Sequence, residues 1–324
     1  MQNALLTSIG SKVALARIAQ QSSRERGVTL HATDSGANTP AKHIVDRYHR
    51  IDFGNAPDPL LELCKNENIG LIIPTRHSDL PFLARNREAF EAAGITVAIS
   101  AFETVDLCID KRKTADFFQR EGIPCPQTID WTAKGSPVRR EQFPLIAKPF
   151  DGSASQGLRR IDSLAELEAH PPREDEIVQT LAKGEEFTIN LYLDRSGSIA
   201  TAIPHQRLVV ADGESVQAIT QRHIPLIELS TRIARALPGA WGPINIQAFF
   251  DRQSGETRVI EINPRLGGGF PLAHQAGGAF IEWLFQETFE DRSPPNLDNW
   301  VEGLRMLRYR DAIFDFPSDR NPSR

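Results

Sequence analysis

Over the first hundred residues, short apolar runs alternate with stretches whose apolar positions recur at helical spacing. NALLTSI (3–9) predicts a strand, SKVALARIAQQSSRERG (11–27) a helix capped by Ser11, and VTLHATD (28–34) a second strand. After a polar loop come RYHRID (47–52), a helix over PDPLLELCKNEN (57–68), strand GLIIPT (70–75), one helix over SDLPFLARNREAFEAAG (78–94), and strand ITVAIS (95–100). Such alternation argues for a parallel sheet with helices on both faces. Ligands of such sheets sit beyond the carboxyl ends of the strands. The polar residues there are Ser8, Gly10, Asp34 and the run PTRHSD (74–79), in which Arg76 and Asp79 could face a cleft.

From about residue 110 the texture changes. DKRKTADFFQREGIP (110–124) is a helix opened by Asp110 and closed by Gly122 and Pro124. FPLIAKPFDGSASQGLRRI (143–161) is strand, small-residue loop, strand, and EIVQTLAKGEEFTINLYLD (176–194) is strand, turn, strand. A helix over IELSTRIARALPG (227–239) precedes a hairpin, GPINIQAFFDRQSGETRVIEINPR (242–265). Short turns between strands predict an antiparallel α+β region. The stretch from about 281 is amphipathic and then strand-like, completing the fold or a dimer contact, and the polar tail PSDRNPSR (317–324) is expected to fray.

The hairpin carries the densest chemistry. Period two puts Asn245 and Gln247 on one face, and likewise Glu261, Asn263 and Arg265. Folding the hairpin symmetrically about Ser254, with Gly255 in the turn, sets Gln247 opposite Glu261 and Asn245 opposite Asn263. One carboxylate among three amides is too little charge for a bare Ca²⁺ site and suits Mg²⁺ bridged to phosphates. Phosphates also need cations and backbone donors. Lys148 ends a strand before the small-residue loop Gly152, Ser153, Ala154, Ser155, Gly157, and Lys111 opens the earlier helix. The loop is not followed by GK[ST], so it is no Walker loop.

Bulk properties narrow the rest. The chain has 324 residues, 40% hydrophobic and 24% charged, with net charge −5, so it offers no basic footprint for nucleic acid. No apolar run approaches a membrane span of roughly 20 residues. The N-terminus lacks a basic leader, and Cys64, Cys108 and Cys125 are scattered without metal spacing, pointing to a reducing cytoplasm. The first turn, TSIGSKVA, has one glycine where a dinucleotide fingerprint wants three, although Asp34 stands where a ribose-binding acid would. That disfavours a nicotinamide-dependent oxidoreductase.

Taken in order, DK…T…F…GIP.P (110–126), KP..GSAS.G (148–157), GEEFT (184–188) and N.Q…EINPR (245–265) resemble the ATP-grasp superfamily, nearest the branch similar to half of a carbamoyl-phosphate synthase large chain and its stand-alone carboxylate–amine ligase relatives. The fourteen-residue spacing from Gln247 to Glu261 matches that branch. The resemblance implies an α/β plus α+β chain: a doubly wound parallel-sheet pre-ATP-grasp domain (1–109), an ATP-grasp N-terminal lobe with linker helix and lid loop (110–182), and a C-terminal lobe with the Mg²⁺ site and an extension (183–324).

It also implies roles. Lys111 and Lys148 contact ATP phosphates, and the loop with Gly152, Ser153 and Ser155 closes over them. Gln179, Thr180 and Leu181 line the adenine, and Glu186 holds the ribose. Gln247, Glu261 and Asn263 hold one or two Mg²⁺ ions with Asn245 in support, and Arg265 stabilises the transferring phosphoryl group. RLGGGFP, with Arg265, Gly268 and Gly269, resembles the segment that receives a substrate carboxylate, and Arg207 is a candidate for a second one. His205, Arg222, His223 and His274 are weaker candidates, each better read as a surface or packed residue. Ala154 and Thr180 depart from residues common in relatives.

The implied activity is transfer of phosphate from ATP to a small carboxylate, an amino acid or similar, followed by attack of an amine. Alternatives are bicarbonate activation, which the single grasp unit disfavours, and a nucleotide-binding protein without turnover. The expected partners are a small carboxylate and an amine, with a homodimer possible and no nucleic acid or membrane.

Overall fold

The computed structural model describes residues 2–52, 56–131, 138–152 and 157–315. Ser153, Ala154 and Ser155 of the expected lid, and the tail 317–324, lie outside the described residues.

The N-terminal part runs β1 (Asn3–Thr7), α1 (Val13–Glu25), β2 (Leu30–Asp34), β3 (Arg47–Arg50), α2 (Asp58–Asn66), β4 (Ile69–Pro74), α3 (Asp79–Arg85), α4 (Arg87–Ala92), β5 (Thr96–Val97). The five strands form one parallel sheet in the order β3-β2-β1-β4-β5. Its central strands β1 and β4 are apolar on both faces, as a sheet covered twice requires, while the edge strand β3 is polar. Ala4, Leu6, Leu71 and Ile73 enter one core with α1, while Leu5 and Ile72 enter the other with Leu60, Leu80 and Phe90.

Three expectations change here. Helix α1 starts at Val13 with Lys12 at its N-cap and no side-chain cap, so Ser11 does not cap it. The single helix expected over 78–94 is two, broken at Asn86. Asn86 donates its side-chain amide to the Phe82 carbonyl at 2.8 Å, a local bond that competes with helix continuation. Helix α5 (Phe102–Ile109) follows and was not expected; α6 (Lys111–Arg120) was, and Asp110 caps it by accepting from the Arg112 N–H at 2.8 Å.

Next come β6 (Thr128–Ile129), β7 (Leu145–Pro149), β8 (Arg159–Ile161), α7 (Leu164–Ala169) and β9 (Glu176–Thr180), whose strands form an antiparallel sheet in the order β6-β9-β7-β8. A six-stranded antiparallel sheet is built from β10 (Glu185–Leu193), β11 (Ile199–Ala211), β12 (Glu214–Thr220), β13 (Gly242–Phe250), β14 (Thr257–Asn263) and β15 (Arg305–Leu307), with α8 (Ile224–Ala236), α9 (Phe270–Gln275) and α10 (Phe280–Phe289). Its order is β14-β13-β10-β11-β12-β15. Strands β9 and β10 therefore do not pair; the turn between them carries the chain from one sheet to the other. The C-terminal stretch completes the fold: β15 extends the large sheet, and Phe280, Trp283 and Phe285 of α10 pack into the core under β1 and β4.

Candidate active site

The hairpin register is the one the sequence predicts: Asn245 pairs with Asn263 and Gln247 with Glu261. A bulge shifts the register only beyond Gln247, so both site pairs keep their face. Asn245 is buried and donates to the carbonyls of Asn263 (3.3 Å) and Arg265 (3.0 Å). It pins the chain as it leaves β14. A Cβ on Gly267 would lie 2.9 Å from the Asn245 amide nitrogen, so glycine permits that close turn.

Arg265 is drawn into this turn. Its guanidinium donates to the Leu266 carbonyl at 2.9 Å and approaches Asn263 Oδ1 at 3.5 Å. Its Nε has no partner among the described residues. Burial lowers its affinity for the proton, and the Glu261 carboxylate opposes that. Beside it stands His77, 8% exposed, from the loop after β4. Burial, then Arg265 and Lys111, push His77 down to about 4, so the imidazole is neutral at pH 7. His77 lies in the run PTRHSD that the sequence flagged as a strand end, but its proximity to Arg265 is a tertiary fact.

A cavity of about 210 Å³ lies between the two antiparallel sheets. Lys111, Lys148, Gly152, Gln179, Thr180, Leu181 and Glu186 all line it, together with Gln247 and Glu261. Burial pushes Lys148 down to about 8, against the pull of Glu261. Lys111 is likewise lowered by burial first, and its ammonium donates to the Gly152 carbonyl. Glu261 is the carboxylate that the two withdrawn lysines have in common, with Asp151 and Asp110 also acting on Lys111.

A second cavity, about 1230 Å³, opens where the carboxyl ends of the parallel sheet face the six-stranded sheet. Lys12, Arg76 and His77 contribute from one side, and Glu214, Arg265, Gly268 and Arg308 from the other. Gln247 and Glu261 line both cavities and so stand at their junction.

Two expected residues fall elsewhere. Arg207 lines neither cavity: its guanidinium donates to Glu186, to Ser215 Oγ at 3.1 Å and to the Gly213 carbonyl at 2.7 Å. It braces Glu186, whose carboxyl burial raises and Arg207 lowers. Gly269 also lines neither cavity; a Cβ there would lie 2.4 Å from the ring of buried His205. The weaker candidates are packed: His205 is 0% exposed, His223 caps α8 with its ring 4.2 Å from Phe250, Arg222 lies over Trp300, and His274 packs on Phe270.

Comparison with known proteins finds two family matches. Residues 108–269 match the ATP-grasp domain, and residues 4–98 match the PylC-like N-terminal domain. Among curated proteins, the chain is 26% identical to the 3-methyl-D-ornithine–L-lysine ligase of Methanosarcina barkeri, over 82% of this chain and 68% of that one. It is 26% identical to the D-alanine–D-alanine ligase of Pseudomonas entomophila, over 74% and 81%. Solved structures share the fold: biotin carboxylase from Campylobacter jejuni (TM-score 0.72, 15% identity, 94% of this chain and 74% of that one) and L-amino acid ligase from Bacillus licheniformis (0.67, 19%, 91% and 78%).

Proposed function

This chain belongs to the ATP-grasp family, and from that premise we propose that it phosphorylates a small organic carboxylate, an amino acid or similar, and joins it to an amine. ATP and Mg²⁺ are the cofactors of the family. The observation that carries the reading is the junction at Gln247 and Glu261, where the smaller cavity meets one large enough for two organic substrates.

The site's charges fit the nucleotide. Lys111, Lys148 and Arg265 converge with Glu261 as the carboxylate common to all three, a cationic site that a triphosphate complements. Glu261, Gln247 and Asn263 would hold Mg²⁺, which neutralises phosphate charge and orients the transferred group. Lys111 and Lys148 hold the phosphates; Gln179, Thr180 and Leu181 border the base, and Glu186, braced by Arg207, takes the ribose hydroxyls. Arg265 stabilises the substrate carboxylate as it receives the phosphoryl group. The amine then attacks the acyl carbon, loses a proton, and phosphate leaves. Positioning and charge stabilisation supply the catalysis.

A cavity of about 1230 Å³ is far more than bicarbonate needs, which favours organic substrates over carbamoyl-phosphate chemistry. The division at 109/110 and 182/183 remains our proposal for the domains. Among the described residues no helix is long and apolar enough to cross a membrane. We place the protein in the cytoplasm on its three free cysteines, and a homodimer is compatible with this reading.

The test is Mg²⁺-dependent phosphate release from ATP with amino acids and small carboxylates, alone and paired with amines, with Glu261→Ala as blank. Release that needs two organic substrates and vanishes in the variant supports the ligase. Release with bicarbonate alone overturns it.

A further inference from the structure

The first strand–turn–helix of the chain, TSIGSKVA (7–14), borders the larger cavity and not the smaller one. The sheet order β3-β2-β1-β4-β5 reverses between β1 and β4. Doubly wound sheets bind ligands in the crevice at such a reversal, beyond the carboxyl ends of the strands. The loops leaving β1 and β4 bring Lys12, Arg76 and His77 to the cavity wall.

The crevice is fixed by buried bonds. Thr7 and Ser8 hydroxyls donate to Asp79 at 2.7 and 3.0 Å, and the Thr75 hydroxyl donates to the carbonyls of Thr7 and Ser8 at 2.8 and 2.9 Å. These contacts engage the acid and leave the cations facing the cavity. An ammonium has three donors. Among the described residues, Lys12 directs one, at 3.2 Å, to the Ser8 carbonyl. Its nearest acids are committed: Asp79 as above, and Glu214 to Arg308 at 2.5 Å; Asp34 lies 3.8 Å from Arg76. His77, 8% exposed, keeps Nδ1 without a partner among the described residues. The start of α1, beside Lys12, has no side-chain cap and adds its positive dipole end. Burial, then Arg76 and Arg265, hold the Lys12 ammonium below the ordinary lysine value, against the opposing pull of Asp79 and Glu214.

We propose that the crevice between β1 and β4 binds a carboxylate that stays unreacted, carried by one of the two organic substrates, with Lys12 and Arg76 as its anchors. This deepens the ligase reading and rests on it. It selects a substrate pair in which one member keeps a free carboxylate in the product: an amino acid as the amine, or a dicarboxylate as the acid.

The experiment uses malonate as probe, with ADP and Mg²⁺ filling the nucleotide cavity and chloride matching ionic strength, read by thermal unfolding. Malonate raises the midpoint of the wild type and of Lys12→Arg, and does not raise that of Lys12→Gln, which keeps its ADP-induced shift. No malonate shift in the wild type, or equal shifts in wild type and Lys12→Gln, overturns the site. For any acid–amine pair that turns over, converting the unreacted carboxylate to the carboxamide raises its KM at least tenfold in the wild type and leaves KM for ATP unchanged. Turnover indifferent to the carboxamide overturns the crevice site and leaves the ligase standing. A Lys12-dependent malonate shift without turnover of any pair overturns the ligase and leaves the site standing.

Discussion

Gln247 and Glu261 stand directly opposite one another across β13 and β14, and both side chains border both cavities. A cross-strand pair is the tightest spacing a sheet offers, with Cβ atoms about 5 Å apart. The pair is the last one in register before the bulge between Gln247 and Ala248. Whatever bridges the two cavities is therefore held by the backbone register itself.

Glu261→Gln keeps the shape and removes the carboxylate that acts on both Lys111 and Lys148. The expected loss in kcat is about 10²–10³-fold, the size found when a single charge-stabilising group is removed, with the Mg²⁺ dependence moved to higher concentration. Phosphate release against Mg²⁺ concentration measures both. An unchanged Mg²⁺ dependence would remove Glu261 from the metal set.

Arg207→Met separates two roles. If Arg207 positions Glu186, KM for ATP rises about tenfold, or ~1.4 kcal/mol, while KM for the organic substrates stays. The Glu186 carboxyl, already raised by burial, also loses the guanidinium that lowers it. Its KM for ATP then recovers as pH rises and the carboxyl ionises. A rise confined to the KM of an organic substrate would restore Arg207 as a substrate residue.

The contrast between these two residues shows what a sequence carries. The hairpin was legible because its information is local: period two fixes the face, and a symmetric turn about Ser254 fixes the register. Glu186 and Arg207 are 21 residues apart in sequence and meet because Phe187 pairs with Gln206 across the β10–β11 hairpin, where a bulge between Tyr192 and Leu193 displaces the register that a symmetric turn would give. His77 beside Arg265 needs the parallel sheet docked on the antiparallel one. The split of β9 and β10 into separate sheets was hidden because a short turn looks alike within a sheet and between two. The break at Asn86 had a visible signal, an Asn able to bond its own helix, which the apolar period outweighed.

Gly184 sits in that inter-sheet turn with φ +103°, and a Cβ there would lie 2.2 Å from the Phe250 carbonyl oxygen. Both the backbone conformation and the close approach require glycine. Gly184→Ala should cost about 2–4 kcal/mol, combining strain at positive φ with a backbone clash. Because the turn adjoins Glu185 and Glu186, KM for ATP should rise as well. Urea unfolding and ATP titration test this; a loss under ~0.5 kcal/mol, the usual range of a neutral surface change, would contradict the geometry.

Lys148 gives pH dependences of opposite sign. Its value falls from 10.5 to about 8 because burial disfavours the charged amine. Between those values the unfolded chain binds more protons than the folded one, so the ligand-free protein gains stability as pH rises through that window. Below pH 8 the buried ammonium carries its full penalty, roughly 3 kcal/mol for such a shift, and Lys148→Met should be the more stable protein there in the absence of nucleotide. ATP reverses the preference, since its phosphates need the ammonium. The kcat/KM for ATP should therefore fall as pH rises past about 8 in the wild type. In Lys148→Met that limb should vanish while the overall rate drops. Urea unfolding from pH 7 to 10, beside initial rates at limiting ATP, reads both limbs. A wild-type ATP profile flat across pH 8 would show that Lys148 does not carry the phosphate contact.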